Sequence, residues 1–168
     1  MDIGIYLKKI KKSEAYLKFI QDNPESFLFS CFFSIDIEGG KDNKIHFDFY
    51  SPSTKKIASF QIEESIKMVP LDFGETGSEY QKLNTSFNLD IKGVRKMILD
   101  EMEIKNITNK IQKIFISLQP KNGKTFWICT IFISGFGILS THIDDELRKI
   151  IFFEKKSFFD ILNVFKKK

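Results

Sequence analysis

The chain has 168 residues, of which 42% are hydrophobic and 29% are charged, with a formal net charge of +4 at pH 7. This composition is typical of a soluble globular protein and excludes a disordered chain. The length fits one domain, or two half-size subdomains that share one core. Nineteen phenylalanines accompany abundant lysine, isoleucine and asparagine. They therefore indicate the bias of an AT-rich genome and not an aromatic ligand-binding surface.

The first half predicts one helix followed by antiparallel strands. Apolar residues at spacings of three and four predict an amphipathic helix from Ile3 to about Asp22. Asn23-Pro24 ends this helix, because the residue before a proline is pushed out of helical geometry. Alternating or continuous apolar runs then predict strands. These strands lie at 27–38, 44–50, 57–62 and, as a short fourth, 66–69.

The second half predicts a helix and a four-stranded meander. A polar stretch from Pro70 to about Lys82 predicts a linker, which divides the chain into units at 1–70 and 83–168 joined by residues 71–82. Asp90 is the predicted N-cap of a helix from Ile91 to about Lys105. The meander spans 110–153 and contains a tight hairpin at Asn122-Gly123. A short C-terminal helix is predicted over 157–164.

The order of these elements predicts the fold class. A helix followed by three or four antiparallel strands occurs twice, which predicts an α+β protein of two tandem helix-plus-antiparallel-sheet units with an internal duplication of plan. Each helix is expected to cover one face of its sheet and to leave the other face to solvent or to a partner. Unpaired sheet edges also allow a homodimer.

The sequence predicts a cytoplasmic protein. The uncharged span between Lys124 and His142 has 17 residues, whereas a spanning helix needs about 20, so no membrane segment is predicted. No signal peptide is recognisable, which favours a reducing compartment. Cys31 and Cys129 lie in apolar runs and are expected to be small buried hydrophobes. Whether they form a disulfide stays open.

One stretch resembles a known family. Trp127 lies on a strand that follows Lys124, a glycine break ends at Gly137, and an Ile143-Asp144 pair closes the next strand. This pattern resembles the PepSY-type domain over about residues 90–153, with a PepSY-like or cystatin-like layout. The resemblance implies a helix-on-sheet module that binds or modulates other proteins, often peptidases, without catalysis. The whole chain also resembles uncharacterised archaeal proteins of unknown function.

Two histidine and aspartate pairs are the candidate metal ligands. His46 and Asp48 lie two residues apart on one strand, as do His142 and Asp144 on another, so each pair shares a strand face. If the pairs converged, imidazole and carboxylate groups would suit a divalent ion. A solvated strand face is the favoured interpretation, because nothing in the sequence places the pairs together. We therefore predict no metal ligands and no cofactor.

No motif predicts an enzyme. Carboxylates cluster at 144–146 and 100–103, where a solvated turn and a solvated helix surface account for them. The sequence has no nucleophile elbow, no zinc-protease motif and no phosphate-binding loop, so we predict no catalytic residues. Trp127 is expected to anchor the core.

The predicted function is a non-catalytic small protein-binding or regulatory module with a protein partner of unknown identity. The alternative is a nucleic-acid-associated protein that uses its lysine-rich ends, since such binding begins with a basic patch. The lysines concerned are Lys8, Lys9, Lys11, Lys12 and Lys166 to Lys168.

Overall fold

The computed structural model describes residues 3–37, 39, 43–71 and 80–157. Within these residues, one eight-stranded antiparallel sheet carries three short helices, which makes a sheet-dominated α+β fold. The elements in chain order are α1 (Ile3–Lys11), α2 (Glu14–Asp22), β1 (Phe27–Asp36), β2 (Lys44–Ser51), β3 (Lys56–Ile62), β4 (Ile66–Leu71), α3 (Ile91–Ile104), β5 (Ile111–Lys121), β6 (Lys124–Ile133), β7 (Gly137–Asp144) and β8 (Lys149–Ser157).

The two halves form a single sheet with the strand order β4-β3-β2-β1-β5-β6-β7-β8. β1 and β5 pair antiparallel, from Cys31 opposite Leu118 to Asp36 opposite Lys113. The prediction of two tandem helix-plus-sheet units is therefore wrong. Each four-stranded meander alone would leave an edge of unpaired backbone groups at β1 or β5, and the joining of these two edges satisfies both.

All three helices pack against one face of the sheet, over one hydrophobic cluster. Ile98 of α3, Phe60 of β3 and Trp127 of β6 are fully buried in it. From α2, the rings of Tyr16 and Phe19 each contact Phe60 edge-on, with centroids 5.5 Å apart. No described helix covers the opposite face of the sheet.

The N-terminal helix is broken into α1 and α2, so the prediction of one helix from Ile3 to Asp22 is wrong at Ser13. Ser13 has extended backbone angles, φ −74° and ψ 146°, and is the N-cap of α2. Its hydroxyl donates to the carbonyl of Ile10 at 2.7 Å and accepts from the N–H of Tyr16 at 3.3 Å. Serine satisfies backbone groups in this way and so favours helix ends over helix interiors.

The substitution Ser13→Ala is expected to lower the free energy of unfolding by about 1 kcal/mol, because it removes the cap of α2. Urea denaturation measures this change. Ser86→Ala, at an exposed position in a loop, is the matched control and should change the stability by less than about 0.5 kcal/mol. Equal stability of the two variants would show that the helix break does not depend on the cap.

Several predictions for the second half are confirmed. Asp90 caps α3, and its carboxylate accepts from the N–H of Gly93 at 2.8 Å. Asn122 and Gly123 have φ of 52° and 76°, which is the geometry of a tight hairpin turn that matches the strand twist. Residues 72–79 of the predicted linker and 158–164 of the predicted C-terminal helix lie outside the described residues.

The segment before α3 packs against the first residues of β1. The centroid of the Tyr80 ring lies 4.7 Å from that of Phe29 and 4.6 Å from that of Tyr50. Tyr50 points away from the core, because it alternates with the buried Phe49. Three residues later, Leu83 is buried in the core, and its N–H donates to the carbonyl of Leu28 at 2.8 Å. The segment therefore contacts the face opposite the helices through Tyr80 and the core through Leu83.

The two cysteines are free thiols buried in the core. Cys31 pairs with β5 and Cys129 lies beyond it on β6, so two strand spacings, roughly 10 Å, separate them. A disulfide needs Cα atoms within about 7 Å, so this arrangement does not form one. Burial raises the pKa of Cys129 to about 12. Burial, and to a lesser degree the charge of Asp48, raises the pKa of Cys31 well above its usual value.

Both thiols are expected to react with a thiol reagent about a thousandfold more slowly in the folded protein than in urea, because the thiolate is the nucleophile. Timed labelling at neutral pH, with and without urea, measures the two rates. Fast labelling of either cysteine in the folded protein would show that its strand opens to solvent.

Candidate functional site

The candidate functional site is the sheet face opposite the helices, which we call the helix-free face. Its residues alternate along the strands with residues of the core, as His46 alternates with the buried Ile45 and Phe47. Cross-strand pairing aligns one residue from each of seven neighbouring strands into a transverse row. From β3 to β8 this row contains Gln61, His46, Phe32, Ser117, Ile128, His142 and Phe152.

Four rings form a continuous aromatic band on the middle strands of this face. Phe32 contacts His46 and Phe115, with both pairs of centroids 5.7 Å apart, and Phe115 contacts Phe132 at 5.3 Å. All four side chains are partly buried although no described helix covers them. The sequence signal for this band is the alternation of phenylalanine with core isoleucines, as in Ile114, Phe115 and Ile116, which the composition argument discounted.

The structure does not bring the two candidate metal pairs together. His46 and His142 lie on the same transverse row and the same face, but four strand spacings separate them, about 19 Å. In the part of the chain that the structure describes, no three histidine, cysteine or carboxylate side chains form a group that would hold a metal ion. Asp144 is the last residue of β7. Its carboxylate accepts a hydrogen bond from the backbone N–H of Leu147 at 3.0 Å.

A cluster of polar side chains surrounds Asp48 on the helix-free face. Asp48 lies between Ser30 on β1 and Ser59 on β3. Its Oδ1 atom and the hydroxyl of Ser59 are buried and have no hydrogen-bond partner in the described residues. Burial raises the pKa of Asp48. The neighbouring hydroxyl of Ser59, which lies outside good hydrogen-bond geometry but still attracts the carboxylate, and the charge of His46 act against this. Burial also lowers the pKa of His46, against the attraction of Asp48.

Buried polar atoms without partners are rare in folded proteins. They are costly because neither water nor protein replaces the hydrogen bonds that they lose. The unpartnered atoms at Asp48 are therefore a destabilising feature on this side of the sheet.

Two of the three carboxylates at 144–146 are not solvated, contrary to the prediction, whereas Glu146 is exposed as predicted. Asp144 is 4% exposed and Asp145 is 2% exposed. The carboxylate of Asp145 accepts from Nε1 of Trp127 at 2.8 Å and from the backbone N–H groups of Asn88 and Leu89 at 2.8 Å and 3.1 Å. It ties β6 to the segment before α3, which is a structural role. The prediction that Trp127 anchors the core is confirmed, since its side chain is fully buried.

The lysines of α1 lie on the other side of the protein from the aromatic band. Lys8, Lys9 and Lys11 are exposed, as is the adjacent Lys12, while Leu7 of the same helix is buried against the sheet. Residues 166–168 lie outside the described residues, so the predicted joint basic patch stays a prediction.

The carboxylates of 100–103 lie on α3, where Asp100 pairs with an exposed lysine at 2.5 Å.

A groove of about 460 Å³ opens at one end of the helix-free face. It lies between the tip of the β5–β6 hairpin and the β7–β8 strands. An irregularity in the β7–β8 pairing leaves Ile151 without a partner residue, between the pairs formed by Ile150 and Phe152. Bulges of this kind re-aim side chains next to binding sites. The lining residues are Gln119, Pro120, Lys121, Asn122, Lys124, Phe126, Ile128, His142 and Ile151.

Comparison with known proteins gives one similar fold. No protein-family model matches the chain, and no curated protein does. A crystal structure of a putative lipoprotein from Clostridium difficile 630 has a TM-score of 0.56 and 12% sequence identity, over 85% of this chain and 91% of that chain. At this identity the likeness shows the fold alone. The PepSY-type resemblance stays a prediction.

Two findings bear on membranes. The described residues contain no helix that is both long enough and apolar enough to span a bilayer. The predicted cytoplasmic location is contradicted by the clostridial neighbour, which is described as a putative lipoprotein. The prediction rested on the lack of a recognisable signal peptide, and that lack is not evidence of where a chain resides.

Proposed function

We propose that the chain is a non-catalytic protein-binding module whose partner docks on the helix-free face. The aromatic band carries this proposal. One face of the sheet is sealed by helices over a continuous core, whereas the other presents partly exposed rings across its middle strands. Aromatic side chains are enriched at the centres of protein interfaces.

The surroundings of the band fit a protein partner better than a nucleic acid. Charged residues of both signs border it: Lys44 and Lys113 lie towards one end, and Glu154 and Lys156 lie on β8. A polar rim around an apolar centre is the usual anatomy of a protein interface, while a nucleic-acid site is predominantly basic. By likeness to the clostridial protein, we also propose a membrane-anchored or secreted location.

Purification of the tagged chain from its own cells tests the proposal. The variant Phe115→Thr/Phe132→Thr removes two rings of the band, and Leu17→Thr/Leu99→Thr makes the same kind of change at exposed positions on the helices. We expect a protein partner that remains bound at high salt to the wild type and to the helix variant, and that is lost from the band variant. Circular dichroism checks that both variants fold, and Phe132→Thr alone is the milder replacement.

Other outcomes overturn this proposal. A partner that binds the band variant as well as the wild type would place the contact elsewhere. Nucleic acid that copurifies at low salt and is removed at high salt would favour the alternative based on the lysines of α1, because phosphate contacts weaken steeply with salt. A native mass of two chains with no other protein would show that the face pairs with a second copy.

A further inference from the structure

We infer that the groove beside the β5–β6 hairpin binds a small amphipathic anion, a carboxylate with a short apolar body. This inference does not depend on a protein partner, because the groove lies beyond the aromatic band. Its volume of about 460 Å³ is in the range of sites that hold small organic ligands.

The floor of the groove is apolar. Phe126 and Ile128 project from β6 onto the helix-free face, since they alternate with the buried Trp127. Pro120 lies beside them, and Ile151 of the β8 bulge adds an aliphatic side chain that is 52% exposed. Such a surface gains free energy when an apolar ligand body removes it from water.

The rim of the groove is cationic. Lys121 and Lys124 lie on the two arms of the hairpin, and no acidic side chain is among the lining residues. Lys124 forms long ion pairs with Asp144 and Glu146, with N–O distances of 3.8 Å and 4.0 Å. Lys121 forms no ion pair with any residue that the structure describes. It is therefore the charge available to a ligand carboxylate.

Amide groups complete the polar side. Gln119 and Asn122 line the same rim, and primary amides donate hydrogen bonds to carboxylate oxygens. A cationic rim with amide donors above an apolar floor complements an anion that carries a hydrocarbon or aromatic body. It offers no carboxylate to a cationic ligand of the same shape.

Three eight-carbon probes that differ only in the head group test the inference: octanoate, 1-octanol and octylammonium. Binding is followed by calorimetry and by amide chemical shifts. We expect octanoate to shift the amides of Asn122, Lys124 and Phe126 and to bind more tightly than octanol, whereas octylammonium should bind most weakly. Lys121→Gln should weaken octanoate binding about fivefold, the size of one exposed charge contact, and should leave octanol unchanged. The control Lys92→Gln, at an exposed position on α3, should change neither.

Equal binding of all three probes, or equal octanoate affinity in Lys121→Gln and the wild type, would overturn the anion preference. An absence of shifts at the groove would overturn the site. Neither result bears on the docking of a protein partner, because the partner test uses Phe115 and Phe132, which do not line the groove.

Discussion

The substitution Asp145→Ala is expected to lower the free energy of unfolding by about 4 kcal/mol, because it removes the acceptor of three hydrogen bonds. The carboxylate of Asp145 is the acceptor for Nε1 of Trp127 and for the N–H groups of Asn88 and Leu89. Nε1 of Trp127 is buried, and a buried donor that loses its acceptor costs about 1 to 3 kcal/mol. The two backbone N–H groups are partly buried, so each adds a smaller cost, on the order of 1 kcal/mol. Urea denaturation followed by circular dichroism measures the loss.

Two further variants separate the network from the loss of a charge. Glu146→Ala, at the next and exposed position of the same turn, should change stability by less than about 0.5 kcal/mol. Trp127→Phe removes one donor and leaves the other two bonds, so its cost should lie between those of the other variants. A stability of Asp145→Ala close to that of Glu146→Ala would show that the hydrogen bonds of Asp145 do not hold the segment before α3.

This network explains a wrong prediction about the turn. Asp144, Asp145 and Glu146 look alike in sequence, and acidic residues in a turn are usually solvated. Only Glu146 is exposed. What distinguishes Asp145 is the indole N–H of Trp127, 18 residues earlier, together with a chain segment more than 50 residues earlier. A buried tryptophan needs an acceptor for its N–H, and this need was the available signal.

Elements that depend on neighbouring residues could be predicted from the sequence. The hairpin at Asn122-Gly123 and the cap at Asp90 follow from backbone geometry and from one side-chain hydrogen bond. The break at Ser13 was readable in the same way, because a serine followed by a glutamate is a common helix start. The apolar spacing on both sides of Ser13 outweighed this signal in the prediction.

The joining of the halves depends on residues far apart in sequence. Cys31 lies opposite Leu118, and no local pattern places two such residues side by side. The run from Phe27 nevertheless predicted a strand buried on both faces. Ser30 and Ser34 are buried on the helix-free face of β1, as befits a strand in the interior of a large sheet. A two-sided burial pattern is therefore a signal against an edge strand.

The same limit applies to the candidate site. Alternation places His46 and His142 on one face of their own strands, but only the strand order decides that about 19 Å separates them. The aromatic band also forms across β2, β1, β5 and β6, so its members come from both halves of the chain. Neither half alone predicts it.

The substitution Asp48→Asn is expected to raise the free energy of unfolding by about 1 kcal/mol near neutral pH. Burial raises the pKa of Asp48, so the folded state holds the ionised carboxylate at a cost. Its Oδ1 atom lacks a hydrogen-bond partner in the described residues, and an unsatisfied buried acceptor costs about 1 to 3 kcal/mol. An amide at this position removes the charge and keeps a polar group next to the hydroxyl of Ser59. Urea denaturation of both proteins measures the gain.

The pH dependence identifies the charge as the cause. The cost of the ionised carboxylate is complete above the raised pKa of Asp48 and is relieved as the pH falls through that pKa towards the ordinary value of 3.8. The pKa of His46 is lowered from 6.5, so both proteins lose stability as the pH falls below 6.5. Without the attraction of Asp48, the pKa of His46 falls further and the variant loses more. The gain from Asp48→Asn should therefore be largest near neutral pH and shrink as the pH falls.

The control Glu64→Gln removes one negative charge at an exposed position on the same half of the sheet. It should not raise the free energy of unfolding. A variant at Asp48 that is less stable than the wild type near neutral pH would show that the carboxylate supports the fold. A stabilised variant would mean that the native sequence keeps a destabilising carboxylate beside the aromatic band. Costly residues are commonly retained for function, so this result would favour a functional role for Asp48 on the helix-free face.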